Sequence, residues 1–315
     1  MRFIARPSAA TCGESHKVRR ATPHDRTALS PRTALSLPIA LSPYSKPGRP
    51  KPNGLPIRLY RYVRTCVHVG EGVATTLLVF PLVSPARKRA LVKRWSGRLL
   101  RILAVDAQVQ GDIGARGGNV LVVANHISWL DIFVLNSVHP VRFVAKSELA
   151  RWPIVGAMIT GAGTLFIERT KRRDTRRVNH HVAHVLAAGD VVAIFPEGTT
   201  TDGTDMLPFK SSLLQPIVEA AGHVQPVAIR YRAPDGTQSV APAYVGDTSF
   251  AQSFWEVCGA RALTVQLIAT AALPAREGHR RTLAREAENA IRTVLSAPDD
   301  AMAPGIPAGL RGEHP

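Results

Sequence analysis

From about residue 105 to 296 short apolar runs alternate with longer amphipathic stretches, and this alternation restricts the fold more than any other feature of the chain. Val120–Ala124 (VLVVA), Val141–Ala145, Thr164–Ile167, Val191–Phe195, Val224–Arg230 and Ala262–Thr270 read as strands. Helices are predicted over 127–138, over 174–188 with Gly189 as the stop, over 211–221, and over 279–296, where Leu283, Ala287, Ile291 and Val294 share a side. Runs such as VLVVA have no polar alternation, so both faces of those strands must be covered. The expected fold class is α/β: a single domain with a central mixed, largely parallel sheet flanked by helices. That catalytic-size unit spans 105–296, and 297–315 reads as a flexible tail.

The front of the chain is different. Residues 1–56 carry nine prolines and no amphipathic period, so we read them as a disordered basic segment. An Arg- and Ser-rich, acid-poor start fits an organellar transit peptide, a translated leader or a dispensable tail, and we favour the last two; no apolar core of a secretory signal follows Met1. Residues 57–104 are expected to be helical and membrane-associating. Within them, 67–83 (VHVGEGVATTLLVFPLV) is shorter than the ~20 apolar residues of a full span and is interrupted by His68, Glu71 and Pro81, so an anchor dipping into one leaflet is favoured over a crossing. Residues 86–104 place Arg87, Arg94, Arg98 and Arg101 on one stripe of a helix, beside Leu91, Trp95, Leu99 and Ile102. Such a face suits an anionic headgroup boundary as well as an ordinary surface helix, and the preceding apolar segment tips the reading toward membrane contact.

Charge narrows the partners. The formal net charge is +17, but residues 1–64 hold 13 Lys+Arg against 2 Asp+Glu, so most of the excess lies in the front segment. An anionic membrane surface and a nucleic acid both fit that balance. A basic nucleic-acid-binding protein would interleave its cations with aromatics, and aromatics are only 6% here, so no nucleic-acid partner is expected. Three cysteines, none at metal-ligand spacing, fit a reducing compartment, and no metal is expected.

Four segments carry candidate chemistry. In Asn125-His126-Ile127-Ser128-Trp129-Leu130-Asp131, positions 126 and 131 would point ~140° apart on one helix. They meet if His126 stands in the strand-to-helix turn and Asp131 in the first helical turn. A carboxylate on one imidazole nitrogen then leaves the other as a base. Thr164–Ile167 runs into Glu168 and Arg169, and a guanidinium at a strand end is a natural phosphate clamp, although a solvated arginine before KRRDTRR has the same sequence. Phe195-Pro196-Glu197-Gly198-Thr199-Thr200-Thr201 follows a third strand, with Gly198 permitting a tight turn. Val224–Tyr231 places Pro226 near the start of a fourth. Each alone also reads as an ordinary turn or strand end.

In this order the four segments resemble the blocks of the glycerolipid (lysophospholipid) acyltransferase family, which includes bacterial 1-acyl-sn-glycerol-3-phosphate acyltransferases. His126 and Asp131 match its first block, Arg169 ends its second, Phe195–Thr199 its third and Pro226 its fourth, while Lys146 matches a recurrent lysine. The resemblance covers about 60–296 and implies a membrane-associated phospholipid-biosynthetic enzyme on the cytoplasmic face of the inner membrane. It implies acyl-CoA or acyl-carrier protein as co-substrate, no other cofactor, and a membrane lipid as acceptor. By the same resemblance His126 is the base and Asp131 its orienting partner. Arg169, Lys146 and Lys210 hold the acceptor's phosphate, and Gly198 and Thr199 belong to the substrate-binding turn. Glu197 orders that turn or binds acceptor polar atoms, and backbone N–H groups near Gly198 receive the oxyanion.

One position departs from the family pattern. Thr200 stands where the third block commonly has an arginine, so a phosphate-binding cation is missing unless Lys210 replaces it. The expected acceptor is 1-acyl-sn-glycerol-3-phosphate, with a less anionic lysolipid such as lyso-ornithine lipid as the alternative. A serine hydrolase is excluded by the lack of a G-x-S-x-G elbow.

Overall fold

The computed structural model describes residues 52–114, 118–152, 155–167, 172–275 and 279–297. Most of the front segment 1–56, nearly all of the tail 297–315, and Arg169 therefore lie outside the described residues. The catalytic body is built on β1 (Val105–Gln110), β2 (Val120–Ala124), β3 (Arg142–Lys146), β4 (Leu165–Ile167), β5 (Val191–Ile194), β6 (His223–Arg232), β7 (Leu263–Ala269) and the two-residue β8 (Leu273–Pro274). They form an eight-stranded sheet in the order β1-β7-β6-β2-β5-β3-β4, with β8 on the start of β6.

Strands β6, β2, β5, β3 and β4 are mutually parallel. Strand β7 runs antiparallel to β6 and parallel to β1, which makes the sheet mixed. The helices are α1 (Leu55–Ala74), α2 (Pro85–Ile102), α3 (Leu130–Val138), α4 (Val155–Gly161), α5 (Arg172–Ala187), α6 (Gln215–Glu219), α7 (Phe250–Gly259) and α8 (Arg280–Ser296).

Strand β2 is fully buried along its length, as its unbroken apolar run requires. Two cores lie on its two faces. Val120, Val122 and Ala124 pack with Leu130, Val134, Ile229 and Val265, while Leu121 and Val123 pack with Leu186, Ile217 and the α8 residues Leu283, Ala287 and Ile291. Side chains of a strand alternate between faces, so one five-residue run anchors both layers.

The structure differs from the sequence expectations in four places. Helix α3 begins at Leu130 rather than 127, because residues 125–128 form an extended turn. The 211–221 helix is a 3-10 turn (Ser211–Leu214) followed by the short α6. Helices α4 and α7 and strand β1, whose periods are short or mixed, were not anticipated. At the front, the helical segment expected from 57 starts at Leu55, and its apolar part is longer than the 67–83 run, continuing as a π turn (Thr75–Val79) and a 3-10 turn to Leu82. This 28-residue unit is long and apolar enough to cross a membrane by length and composition.

Helix α1 faces outward in an unusual sense. It buries Thr65, His68 and Gly72 and exposes Leu59, Val63 and Val67, and the π turn that follows exposes Leu77 and Leu78. Gly72 is required where it lies, since a Cβ there would stand 2.7 Å from both Trp95 and Met158. Helix α2 behaves as the ordinary surface helix: its Trp95 stacks on His68 at 4.6 Å and meets Phe133 of α3, and Leu99 is buried. The Trp95/Leu99 face is therefore packed inside the protein, while Arg87, Arg94 and Arg101 remain exposed.

Candidate active site

Parallel strands deliver their C-terminal ends to one edge of a sheet. Here β2 leads into His126, its neighbour β5 into Glu197, and the next strand β3 ends at Lys146. The turn after β2 is set by Asn125, which is buried. Its amide nitrogen donates to the Ile229 carbonyl (3.0 Å) and its oxygen accepts from the Ile229 N–H (2.7 Å). The side chain thus continues the β2–β6 ladder, and the main chain is released to turn away at His126.

Asp131 closes the turn. It is the second residue of α3 and is wholly buried. Its Oδ2 accepts from His126 Nδ1 (2.8 Å), Ile127 N (2.8 Å) and Ser128 N (3.0 Å). Its Oδ1 accepts from the Tyr231 hydroxyl at 2.6 Å. Four donors satisfy a carboxylate that burial would otherwise penalise, and the helix N-terminus favours its charge. Ser128 Oγ accepts from Leu130 N (3.2 Å) and caps the start of α3. Burial and the adjacent Asp131 charge hold the Tyr231 phenol well above its usual range, so it stays a donor. His126 is 18% exposed, with its ring stacked on Phe195 at 3.9 Å and 8°. Bonded at Nδ1 and pressed flat on one face, the imidazole presents Nε2 as its reactive atom.

Glu197 belongs to the loop after β5 and is 1% exposed. Oε1 accepts from His126 N (2.7 Å) and Oε2 from Leu207 N (2.7 Å). Burial raises its carboxyl above the ordinary value, and the amide bonds from Leu207 and His126 oppose that shift. With each oxygen accepting from a main-chain donor, this carboxylate ties the loop after β5 to the His126 turn. Thr201 N donates to the His126 carbonyl (2.8 Å), so the two loops are tied on both sides of the histidine.

The glycine of this block adopts φ +77° and its amide donates to the Phe195 carbonyl (3.1 Å). The Gly198 amide is thus used within the turn, and any oxyanion donors of this block are the amides that follow it. Thr199 is exposed, whereas the Thr200 hydroxyl donates to the Tyr244 carbonyl, tying the block to the 240s loop.

Lys210 is exposed, and its amide donates to the Pro196 carbonyl (3.0 Å), which places its main chain at the foot of the same turn. Lys146 is exposed at the end of β3. Of the residues singled out in the sequence, His126, Asp131, Glu197, Gly198 and the Lys210 backbone are thus brought together. Sequence reasoning missed Tyr231 and Asn125 as parts of the site. Both sit in segments flagged for other reasons, and nothing local tells a buried tyrosine that its hydroxyl will meet a carboxylate a hundred residues away. A cavity of about 410 Å3, lined by Arg58, Gln252, Trp255 and Leu263 among others, includes none of these site residues.

Comparison with known proteins places the chain in a family. The family model described as Acyltransferase matches residues 106–230. The chain is 36% identical to the 1-acyl-sn-glycerol-3-phosphate acyltransferase of Neisseria meningitidis over 217 residues, 69% of this chain and 84% of that one. It is also 36% identical to the lyso-ornithine lipid O-acyltransferase of Pseudomonas aeruginosa, over 68% of this chain and 81% of that one. The crystal structure of the 1-acyl-sn-glycerophosphate acyltransferase PlsC from Thermotoga maritima superposes with a TM-score of 0.59 over 80% of this chain and 97% of that one, at 22% identity, and so shares the fold. None of these relatives supports a nucleic-acid-binding role. With extensive identity to two such enzymes and a matching family model, the chain belongs to the glycerolipid (lysophospholipid) acyltransferase family and is an acyltransferase.

Proposed function

We propose that the protein transfers a fatty acyl group from a CoA or carrier-protein thioester to the free hydroxyl of a lysophospholipid, with 1-acyl-sn-glycerol-3-phosphate as the acceptor and phosphatidic acid as the product. The observation that carries this reading is the buried Asp131 bonded to His126 Nδ1, which fixes the tautomer and leaves Nε2 to act as base. In the reaction Nε2 takes the hydroxyl proton as the acceptor oxygen attacks the thioester carbonyl. The tetrahedral intermediate collapses with breakage of the C–S bond, and the imidazolium returns its proton to the leaving thiolate. The thioester is already reactive, so a base of moderate strength and a few oxyanion donors suffice. With the Gly198 amide engaged, the Thr199 and Thr200 amides are the backbone donors we assign to the oxyanion. Lys210, Lys146 and Arg169 are assigned to the acceptor phosphate.

A second acceptor is favoured by a specific observation. Residues 195–206 contain no Lys or Arg, and Thr200 is turned to the Tyr244 carbonyl. A turn without a cation suits a lysolipid with less negative charge, such as lyso-ornithine lipid, and one relative of equal identity carries that name. The exposed apolar face of α1 beside the exposed arginines of α2 supports membrane attachment, which we place at the cytoplasmic face of the inner membrane.

Purified protein in mixed micelles with acyl-CoA and each lysolipid separately, analysed by mass spectrometry, tests the assignment. Formation of phosphatidic acid from the phosphate acceptor supports the first reading. Product only from lyso-ornithine lipid replaces the acceptor and keeps the chemistry. Product from no lysolipid, with either donor, would defeat both.

A further inference from the structure

Helix α8 lies beyond the residues that the family model matches, yet two of its side chains reach the loop that holds Glu197. We propose that Glu288 and Arg292 are positioning residues that hold the segment Asp205–Lys210 against the site and thereby keep Glu197 in its grip on the His126 amide. This rests on the reading of His126 as the base. Between Ile194 and Ser211 the chain has no regular secondary structure, so its backbone groups must be fixed by side chains and by each other.

On the site side, Leu207 N donates to Glu197 Oε2 and Lys210 N to the Pro196 carbonyl. On the far side, Glu288 Oε2 accepts from Phe209 N (2.9 Å). Glu288 Oε1 accepts from Arg292 Nε (3.0 Å), Arg292 Nη1 donates to Asp205 Oδ1 (2.9 Å), and Arg292 Nη2 donates to the Met206 carbonyl. The segment is therefore gripped at Asp205, Met206 and Phe209 from α8, and at Leu207 and Lys210 from the turn after β5.

The helix is a firm platform for this. Leu283, Ala284, Ala287 and Ile291 are buried in the core with Met206 and Phe209, and residues 288 and 292, four apart, share a face. An exposed ion pair contributes little to stability by itself. What distinguishes this pair is that its remaining polar atoms all bond one loop, at the Asp205 carboxylate, the Met206 carbonyl and the Phe209 amide, which fixes geometry. If the clamp is released, Leu207 N withdraws from Glu197. The buried carboxyl then loses one of its two amide donors, drifts to the neutral form, and holds His126 less firmly.

The test uses the full chain: wild type, Glu288→Gln, Arg292→Ala, Glu197→Gln, the double variant Glu197→Gln/Glu288→Gln, and Arg280→Ala as control. Arg280 makes one exposed bond, to Gln215, on the same helix. The assay is acceptor-dependent thiol release from acyl-CoA as a function of pH, with thermal unfolding to show that each variant is folded.

Glu288→Gln and Arg292→Ala are expected to lower kcat about tenfold, the effect of one lost charge-assisted bond, and to move the acid limb to higher pH. Arg280→Ala stays at wild type. In the Glu197→Gln background Glu288→Gln adds less than about twofold, because the route is already cut. Equal effects in both backgrounds, or an Arg280→Ala that matches Arg292→Ala, would overturn the proposal. Hydrogen exchange reads the clamp without activity: peptides over 196–210 and 125–131 lose protection in Glu288→Gln and keep it in Arg280→Ala. Unchanged protection overturns the clamp whatever the kinetics. A wild type without acceptor-dependent release, but with the exchange response intact, overturns the assignment of His126 instead.

Discussion

Replacing Tyr231 by Phe removes one oxygen from the most buried part of the site. The lost bond is 2.6 Å long, its acceptor Asp131 is 0% exposed and Tyr231 is 1% exposed, so water cannot substitute without displacing packed atoms. A hydrogen bond to a charged group contributes ~1.5–3 kcal/mol, and the ring is retained, so the expected loss of stability is about 2 kcal/mol. For a domain of this size that lowers Tm by about 4–8 °C. Activity should survive, because Asp131 Oδ2 still holds His126 Nδ1, and kcat should fall by less than about tenfold. Asp131→Asn should differ sharply, losing about a thousandfold to ten-thousandfold in kcat, as expected when a base loses its orienting carboxylate. The assays are thermal unfolding and thiol release. An unchanged Tm would refute the bond, and inactivation by Tyr231→Phe as deep as that of Asp131→Asn would refute its action through Asp131.

Other outcomes follow from the same geometry. Burial raises the Glu197 carboxyl above its ordinary 4.5, so the folded state binds that proton more tightly, and the group's contribution to stability falls as pH rises from the ordinary value through the raised one. The stability gap between wild type and Glu197→Gln, from denaturant melts at several pH values, should therefore narrow across that window, and a widening gap would contradict the burial argument. Gly203→Ala forces a Cβ into φ +81° and to 2.9 Å from Ile127 Cδ1; the flexible Ile tip can yield, so backbone strain dominates, and a loss of about 1–2 kcal/mol with reduced kcat is expected by unfolding and kinetics. Leu77, Leu78 and Leu82 are 59%, 69% and 84% exposed, and replacing all three by Ser should weaken flotation with anionic liposomes at least about tenfold while leaving Tm near wild type.

Six strands of the sheet were readable because they are largely apolar runs, and VLVVA could be placed to the residue, whereas the mixed run VDAQVQ of β1 was not. The His126–Asp131 meeting was also readable, since five residues cannot share a helical face and the only alternative is a turn followed by a first helical turn. Glu197 as an orderer of its loop was one of two roles expected for it, and its two amide partners are consistent with that role. What was not readable depends on long-range contact. The Tyr231 hydroxyl reaches Asp131 across the sheet, and Asn125 substitutes for a strand residue in the β2–β6 ladder. The face of α2 that seemed suited to lipid is filled by Trp95 against His68 and Phe133, because hydrophobic periodicity does not say whether a face meets protein or membrane. Helix α7 escaped notice since its sequence, FAQSFWEVCG, is short and mixed.

The central claim is that His126 is the base of an acyl transfer to a lysolipid hydroxyl. Its most direct test is acceptor-dependent thiol release from acyl-CoA or acyl-carrier protein by wild type and His126→Ala, with Tm measured in parallel. The account predicts release with 1-acyl-sn-glycerol-3-phosphate or another lysolipid in the wild type, and loss of at least about a thousandfold in a folded His126→Ala. Acceptor-dependent release that persists in His126→Ala would contradict it.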